Sequence, residues 1–469
     1  MRPRIHRLST ARYALFAAFA ASLAAAAPID PGVRKAATDN GPPISMQALG
    51  ADELSYFNDG LARFNTIEVV NGAVPGQGNG LGPRFNSVSC ASCHSQPYVG
   101  GSSPPRNPLP AIARAEGAAN AIPWFITALG PIREARFVQS NGGRDGGVHD
   151  LFVIGGRSDA GSCGIEQPVF TPAGNPLTGI GGNPNIVFRI PTPTMGAGLI
   201  EAIPDSAILA NMNDAAAQNA HFGIHGHANA ILGGNTNLSA NDGTITRFGW
   251  KAQNKSLLMF AGEAYNVEMG ISNQLFPQER DGTANCQYYA TPNDASNMDA
   301  ASGYPATAVL SDIEAFANFM RMLAPPAPAP ATPSSTNGRA EFAAVGCAAC
   351  HTPSFTTGSA IATGSARSPS PALSSQRVNL YSDLLVHHMG QGLADGISQG
   401  SAGPDEFRTA PLWGAGQRVF FLHDGRTSDL LAAIRAHASQ GSEANVVVQR
   451  FNALGSSEQQ DILDFLRSL

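Results

Sequence analysis

Cys90-Ala91-Ser92-Cys93-His94 and Cys347-Ala348-Ala349-Cys350-His351 repeat one five-residue pattern in a chain of 469 residues. Two thiols about one helical turn apart can each form a thioether with a vinyl group of a haem, while the adjoining imidazole reaches the iron. Zinc ribbons, dithiol centres and ordinary disulfides also use Cys-x-x-Cys, but none of them explains a histidine directly after each pair. The pattern therefore implies two covalently bound haem c groups. Cys90, Cys93, Cys347 and Cys350 would be the attachment points, and His94 and His351 the proximal iron ligands.

The compartment is read from the first residues. Arg2, Arg4, Arg7 and Arg12 precede an apolar, small-residue run from Tyr13 to Ala27, too short to span a bilayer and followed by Pro28 and Pro31. Residues 1–26 are expected to be a signal peptide, giving a periplasmic protein with no membrane span after cleavage. Removing them leaves 25 basic against 35 acidic residues, a formal charge of −10. Such a surface repels nucleic acid and suits a small basic electron-carrier protein as partner. The two cysteines outside the motifs, Cys163 and Cys286, are expected to pair in an oxidising compartment. Two buried thiols are the alternative.

Gly and Pro make up 85 residues, which predicts long ordered loops between a few helices. The run APPAPAPATPSSTN (324–337) has no apolar periodicity and reads as an extended spacer between the two motifs. Before it, Ile313, Phe316, Phe319, Met320 and Leu323 recur at helical spacing behind Ser311 as N-cap. An opening helix around Glu53–Asn65 carries Leu54, Phe57, Leu61 and Phe64 on one face. After the spacer, a short helix delivers Cys347, and SSEQQDILDFLRSL (456–469) is amphipathic, with Ser457 as its expected cap. The expected fold is mainly α with long irregular loops, in two cytochrome c-like domains. The divisions are 27–323 (heavily elaborated), a 324–338 linker, and 339–469.

Seven segments carry a resemblance: GLGPRFNSVSCASCH (80–94), PTPTMGAGLIEAIPD (191–205), RFGWKAQNKSLL (247–258), NVEMGIS (266–272), EFAAVGCAACHTPSF (341–355), YSDLLVHHMGQGLADG (381–396) and FRTAPLWGAGQRVFFLHDGRTSDLLAAIRAH (407–437). Together they resemble the di-haem oxidoreductases, a family described as peroxidases and thiol oxidoreductases and related to bacterial di-haem cytochrome c peroxidases. One departure is NDAAAQNAHFGIHGHANA (213–230), where the family commonly has a carboxylate-rich turn. His221, His225 and His227 there are read as exposed loop residues, with metal binding as the alternative.

The resemblance implies that electrons from a carrier enter at the C-terminal haem and reach a reactive N-terminal haem, where a small-molecule oxidant such as peroxide is reduced. For the second axial position of the C-terminal haem, the candidates are His437, Met389, His387, His388 and His423. Position after the His423-Asp424-Gly425 turn favours His437, then Met389, and makes His423 itself a turn residue. The N-terminal haem is expected to keep an open distal position. Peroxide cleavage there needs a general acid/base, and Glu166, His149 and Glu134 are the candidates, with Arg133, Arg136 and Arg157 nearby. Two other readings stay open: an electron-transfer cytochrome with both irons six-coordinate, and oxygen insertion into an organic substrate, as in the distantly similar di-haem rubber oxygenases.

Overall fold

The computed structural model describes residues 27–35, 43–70, 78–138, 147–154, 165, 167, 170, 185–229, 245–278, 291–297, 305–363, 366 and 368–469. The signal-peptide segment, Cys163, Cys286, Arg157 and Glu166 lie outside these residues. Among the described residues the architecture is helix-rich, with only two- and three-stranded sheets.

Two helix pairs organise it, and they are built alike. The helix Ala51–Asn65 has Asp52 and Glu53 in its first turn and Arg63 in its last, matching the helix dipole at both ends. It buries Phe57, Gly60 and Phe64, whereas Leu54, read as part of the buried stripe, is 41% exposed. Its partner is the helix Asp312–Met322, capped by Ser311 as expected, with Glu314 completing a capping box. The pair meets closely because Gly60 has no side chain: a Cβ there would lie 2.3 Å from the Ala315 carbonyl oxygen. In the second pair, Pro333–Val345 packs on Ser456–Ser468, and a Cβ on Gly338 would lie 1.8 Å from the Asp461 carbonyl oxygen. Four residues beyond each glycine stands a phenylalanine. Phe64 lies 6.2 Å from the His94 ring and Phe342 lies 6.1 Å from that of His351.

The segment read as a linker differs in two ways. It is helical from Pro333, because Thr332 accepts from the Ser335 amide and Pro333 pre-sets the first turn. Its extended part is tied down, with Arg34 donating to the Ala327 carbonyl and the Ala329 amide to Ser468. The C-terminal helix starts at Ser456 behind Gly455, with Glu458 bonding back to the Gly455 amide, so Ser457 is not its cap.

Nor does the apolar core divide at the spacer. Phe355, Leu373, Val378, Leu380 and Leu385, assigned to the C-terminal unit from sequence, pack into the same core as Phe57, Phe64 and Phe319. A buried ionic network also crosses between the halves. Arg189 binds Asp395 at 2.7 Å, and Lys251 binds the same carboxylate at 3.1 Å while donating to the carbonyls of Gly403 and Glu406. Removing one partner from such a network leaves an uncompensated buried charge, which costs roughly 3–5 kcal/mol.

Candidate functional site: two cavities sharing a tryptophan

The segment Cys90–Cys93 is a single helical turn capped by Ser89, and Cys347–Ala349 is a short turn after Gly346, whose φ of 108° lets the chain reverse out of the preceding helix. Each turn forms part of the wall of its own cavity. The N-terminal cavity holds Cys90, Cys93 and His94; the C-terminal one holds Cys347, Cys350 and His351. Burial pushes the Cys93 and Cys347 thiols up to about 12.

Both imidazoles are oriented by backbone. His94 Nδ1 bonds to the Gly101 carbonyl at 3.0 Å and His351 Nδ1 to that of Tyr381 at 2.9 Å. A ring held through Nδ1 has Nε2 left to coordinate, the usual arrangement around a metal-binding histidine. Burial depresses His351 to about 4 and also lowers His94, which keeps both rings neutral and able to ligate. Two thiols and one such imidazole per cavity form a donor set that suits an attached haem.

Of the candidates for the second axial position, His437, Met389, His387 and His423 line the C-terminal cavity together with His351. His437 ends the helix Leu430–Ala436 and its Nδ1 bonds to the Ala433 carbonyl at 2.8 Å. It lies close enough to His351 to depress that ring further, behind the larger effect of burial. His387 has both nitrogens engaged, with Glu443 at 2.7 Å and Asp383 at 2.9 Å. His388 faces solvent and bonds to Asp405 at 3.0 Å. His423 lies in a turn as read, with its ring buried in the cavity wall and stacked on Phe407 at 4.3 Å.

The N-terminal cavity carries the acid/base groups. Glu134 lies on the strand Glu134–Phe137, which pairs with Val148–His149 on one side and Ile186–Arg189 on the other. His149 is opposite Ala135 in that sheet, and its side chain lies outside the described set. Glu134 and Glu268 are hydrogen-bonded to each other and both line the cavity. Burial, then the charge of Glu134, drives Glu268 well above the carboxylate range. Burial would raise Glu134 too, but Arg136, the bond from Glu268 and Arg189 hold it below its ordinary value. The pair thus shares one proton, kept on Glu268. Gln253 stands on the same wall with Oε1 buried and unpartnered. Among the described lining residues His94 is the only histidine, while Met269 and Met320 are buried in the wall. Arg133 lines the cavity but donates to the Asp424 carbonyl at 2.8 Å.

Trp250 lines both cavities. Sequence reading singled out neither it nor Glu268, although both fall inside quoted segments. The available signal was Glu268 itself, a carboxylate inside the otherwise apolar helix LLMFAGEAYNVEM. Among the histidines of the departing segment, His221 and His225 are exposed and His227 bonds to Glu406 at 2.9 Å. The described residues hold no cluster of three or more metal-binding side chains.

A helix-rich chain with two such cavities defines a two-centre haem protein. The family model described as "Di-haem oxidoreductase, putative peroxidase" matches residues 183–469, more than half of the sequence, and the chain belongs to that family. It is accordingly an oxidoreductase of the two-haem kind. The first motif lies outside the match and stands on its own geometry. No curated protein matches the chain. Among solved structures, it is similar to the di-haem peroxidase BthA from Burkholderia thailandensis (15% identity, 48% of this chain and 65% of that one, TM-score 0.27). It is also similar to a MauG-like protein associated with microbial copper homeostasis (18%, 36% and 54%, 0.23) and to hydrazine synthase of Kuenenia stuttgartiensis (19%, 34% and 55%, 0.22). The chain spans between half and two thirds of the length of these structures, and the likeness is too slight to define a shared architecture.

Proposed function

We propose that the chain is an exported c-type cytochrome that reduces peroxide in its N-terminal cavity with electrons admitted through its C-terminal one. The observation that carries this reading is the pairing of cavities: each has its own Cys-x-x-Cys-His, the C-terminal one adds His387, His423 and His437 to its lining and the N-terminal one a carboxyl pair, and Trp250 walls both. Cys90, Cys93, Cys347 and Cys350 would hold the two haems, with Nε2 of His94 and His351 on the irons and His437 in the second position at the C-terminal site. Met389 is the other candidate there. Bound in this way, haem supplies the iron centres and the electron storage that peroxide cleavage requires.

The protein's own groups supply the proton chemistry. Glu134, ionised beside Arg136, is placed to accept a proton from peroxide, and Glu268 holds the proton that the leaving oxygen needs. Arg136 and Arg189 keep the pair at one negative charge, and the Gln253 amide offers a further polar contact on the same wall. This charged wall favours a small polar oxidant over the apolar organic substrate of an oxygenase. His149 and Glu166 remain candidates beside the pair. No helix among the described residues is long and apolar enough to cross a membrane. With signal cleavage, periplasmic export and an acidic mature chain, a small basic carrier protein fits as electron donor.

The test is direct. A pyridine haemochrome assay on the exported protein should give two haems per chain. Stopped-flow mixing of the reduced protein with hydrogen peroxide should then oxidise it faster than free haem is oxidised. Oxidation no faster than that, together with a purely low-spin electron paramagnetic resonance spectrum, would replace the peroxidase reading with a pure electron-transfer cytochrome.

A further inference from the structure

Two guanidinium groups stand in the C-terminal cavity, whose one carboxylate among the described lining residues, Glu443, is taken up by His387. Arg408 is 8% exposed; its Nη1 donates to the Arg247 carbonyl at 2.7 Å and its Nε is buried without a partner. Arg418 projects into the same cavity, and its guanidinium has no protein partner among the described residues. Neither forms an ion pair with a described carboxylate. Both also line a smaller gap, with Thr192, Thr194, Trp250 and Trp413, that shares wall residues with each of the two cavities. Burial lowers both to about 10, and the charge of Arg418 adds to the effect on Arg408, so the two groups are near enough to repel. Arginine does not relieve such a cost by losing its proton. A pair of like charges lining one cavity is stabilised by an anion between them, and the planar guanidinium fork matches a carboxylate or phosphate oxygen pair.

We propose that Arg408 and Arg418 form a carboxylate clamp that holds the propionates of the haem in the C-terminal cavity, on the side of the cavity that adjoins Trp250. The placement follows from the backbone, since the Arg408 amide donates to the Trp250 carbonyl at 2.8 Å. The clamp is tied through one peptide contact to the residue that walls both centres. Its carboxylates would therefore lie between the two redox sites and not toward solvent. A free anion such as phosphate has the same chemistry and is the competing occupant.

This inference rests on the two-haem reading, and the two can fail separately. If the wild-type protein lacks two haems by pyridine haemochrome, both fall. With two haems present, the readout is the midpoint potential of the C-terminal haem against pH for the wild type, Arg418→Gln and Arg418→Lys. In the wild type the potential should stay level through the neutral range, because the clamp keeps the carboxylates ionised. Arg418→Gln should lower it and introduce a pH slope there, as a carboxylate takes up a proton; Arg418→Lys should restore most of the wild-type behaviour. A two-haem Arg418→Gln protein with unchanged potential and slope at both haems overturns the clamp. So does a wild-type potential that moves with phosphate concentration at constant ionic strength, which would assign the arginines to a free anion. That phosphate titration needs no variant and decides the matter even if Arg418→Gln does not accumulate.

Discussion

Trp250 donates its indole N–H to the carbonyl oxygen of Ile190 at 2.8 Å, which fixes the ring in the partition between the two cavities. Its backbone belongs to the loop that also carries Lys251, and Lys251 is anchored to Asp395 across the two halves. The ring is thus positioned from both sides. Trp250→Phe should leave haem content unchanged while slowing electron exchange between the centres, measured by flash photolysis of the half-reduced protein. It should also cost about 1 kcal/mol through the lost hydrogen bond, about 1 °C in melting temperature for a chain of this length. Unchanged exchange would remove the tryptophan from the electron route.

The carboxyl pair gives a second expectation. Glu134→Gln removes the charge that helps hold the proton on Glu268, and should lower kcat/KM for peroxide by about 10²–10⁴-fold. It should also bring Glu268 down toward the ordinary carboxylate range, although burial continues to oppose this. The pH profile of Glu134→Gln should lose the limb belonging to the pair. A profile identical in shape to wild type would mean that the proton traffic runs elsewhere.

His437 and Met389 can be separated spectroscopically. Replacing His437 by Ala should turn the low-spin signal of the C-terminal haem into a high-spin one, while Met389→Leu should leave it as it is. The opposite pattern would give the second axial position to Met389.

Glu68 is 3% exposed behind Tyr265, a residue of the N-terminal cavity wall whose hydroxyl lies 3.2 Å from the Glu68 carboxyl and 3.0 Å from that of Asp312. Burial, with Asp312 and Asp294 nearby, raises it to about 8 from 4.5. A carboxyl raised in the folded state binds more protons there than in the unfolded chain. Its penalty is therefore absent at low pH, and stability falls as pH rises from about 4.5 to about 8. Glu68→Gln should match wild type near the lower end of that window and exceed it at the upper end, by on the order of a few kcal/mol in urea unfolding. Parallel curves at both ends would mean that Glu68 is ionised without cost.

The sequence made some of this legible, for reasons that differ by element. The haem motifs and the Ser311 cap are local chemistry, readable from five consecutive residues or from one hydroxyl before an apolar stripe. The candidates His437 and Glu134 could be named because an imidazole or carboxylate announces what it can do. Glu268 was hidden because its role depends on a partner 134 positions earlier, and Trp250 because a cavity wall has no local signature. The mixing of Phe355–Leu385 into the first core was likewise invisible, since apolar periodicity tells which face is buried but not against what.

The proline-rich segment between the motifs has a mechanical consequence. Strapped to Arg34 on one side and to Ser468 on the other, with Pro325 under Gly196 and Pro326 under Gly414, it leaves no slack for one redox centre to swing against its neighbour. A circuit built with a gap of constant width is throttled by the energy levels at its two terminals. Lengthening the strap should therefore matter far less to turnover than retuning either iron.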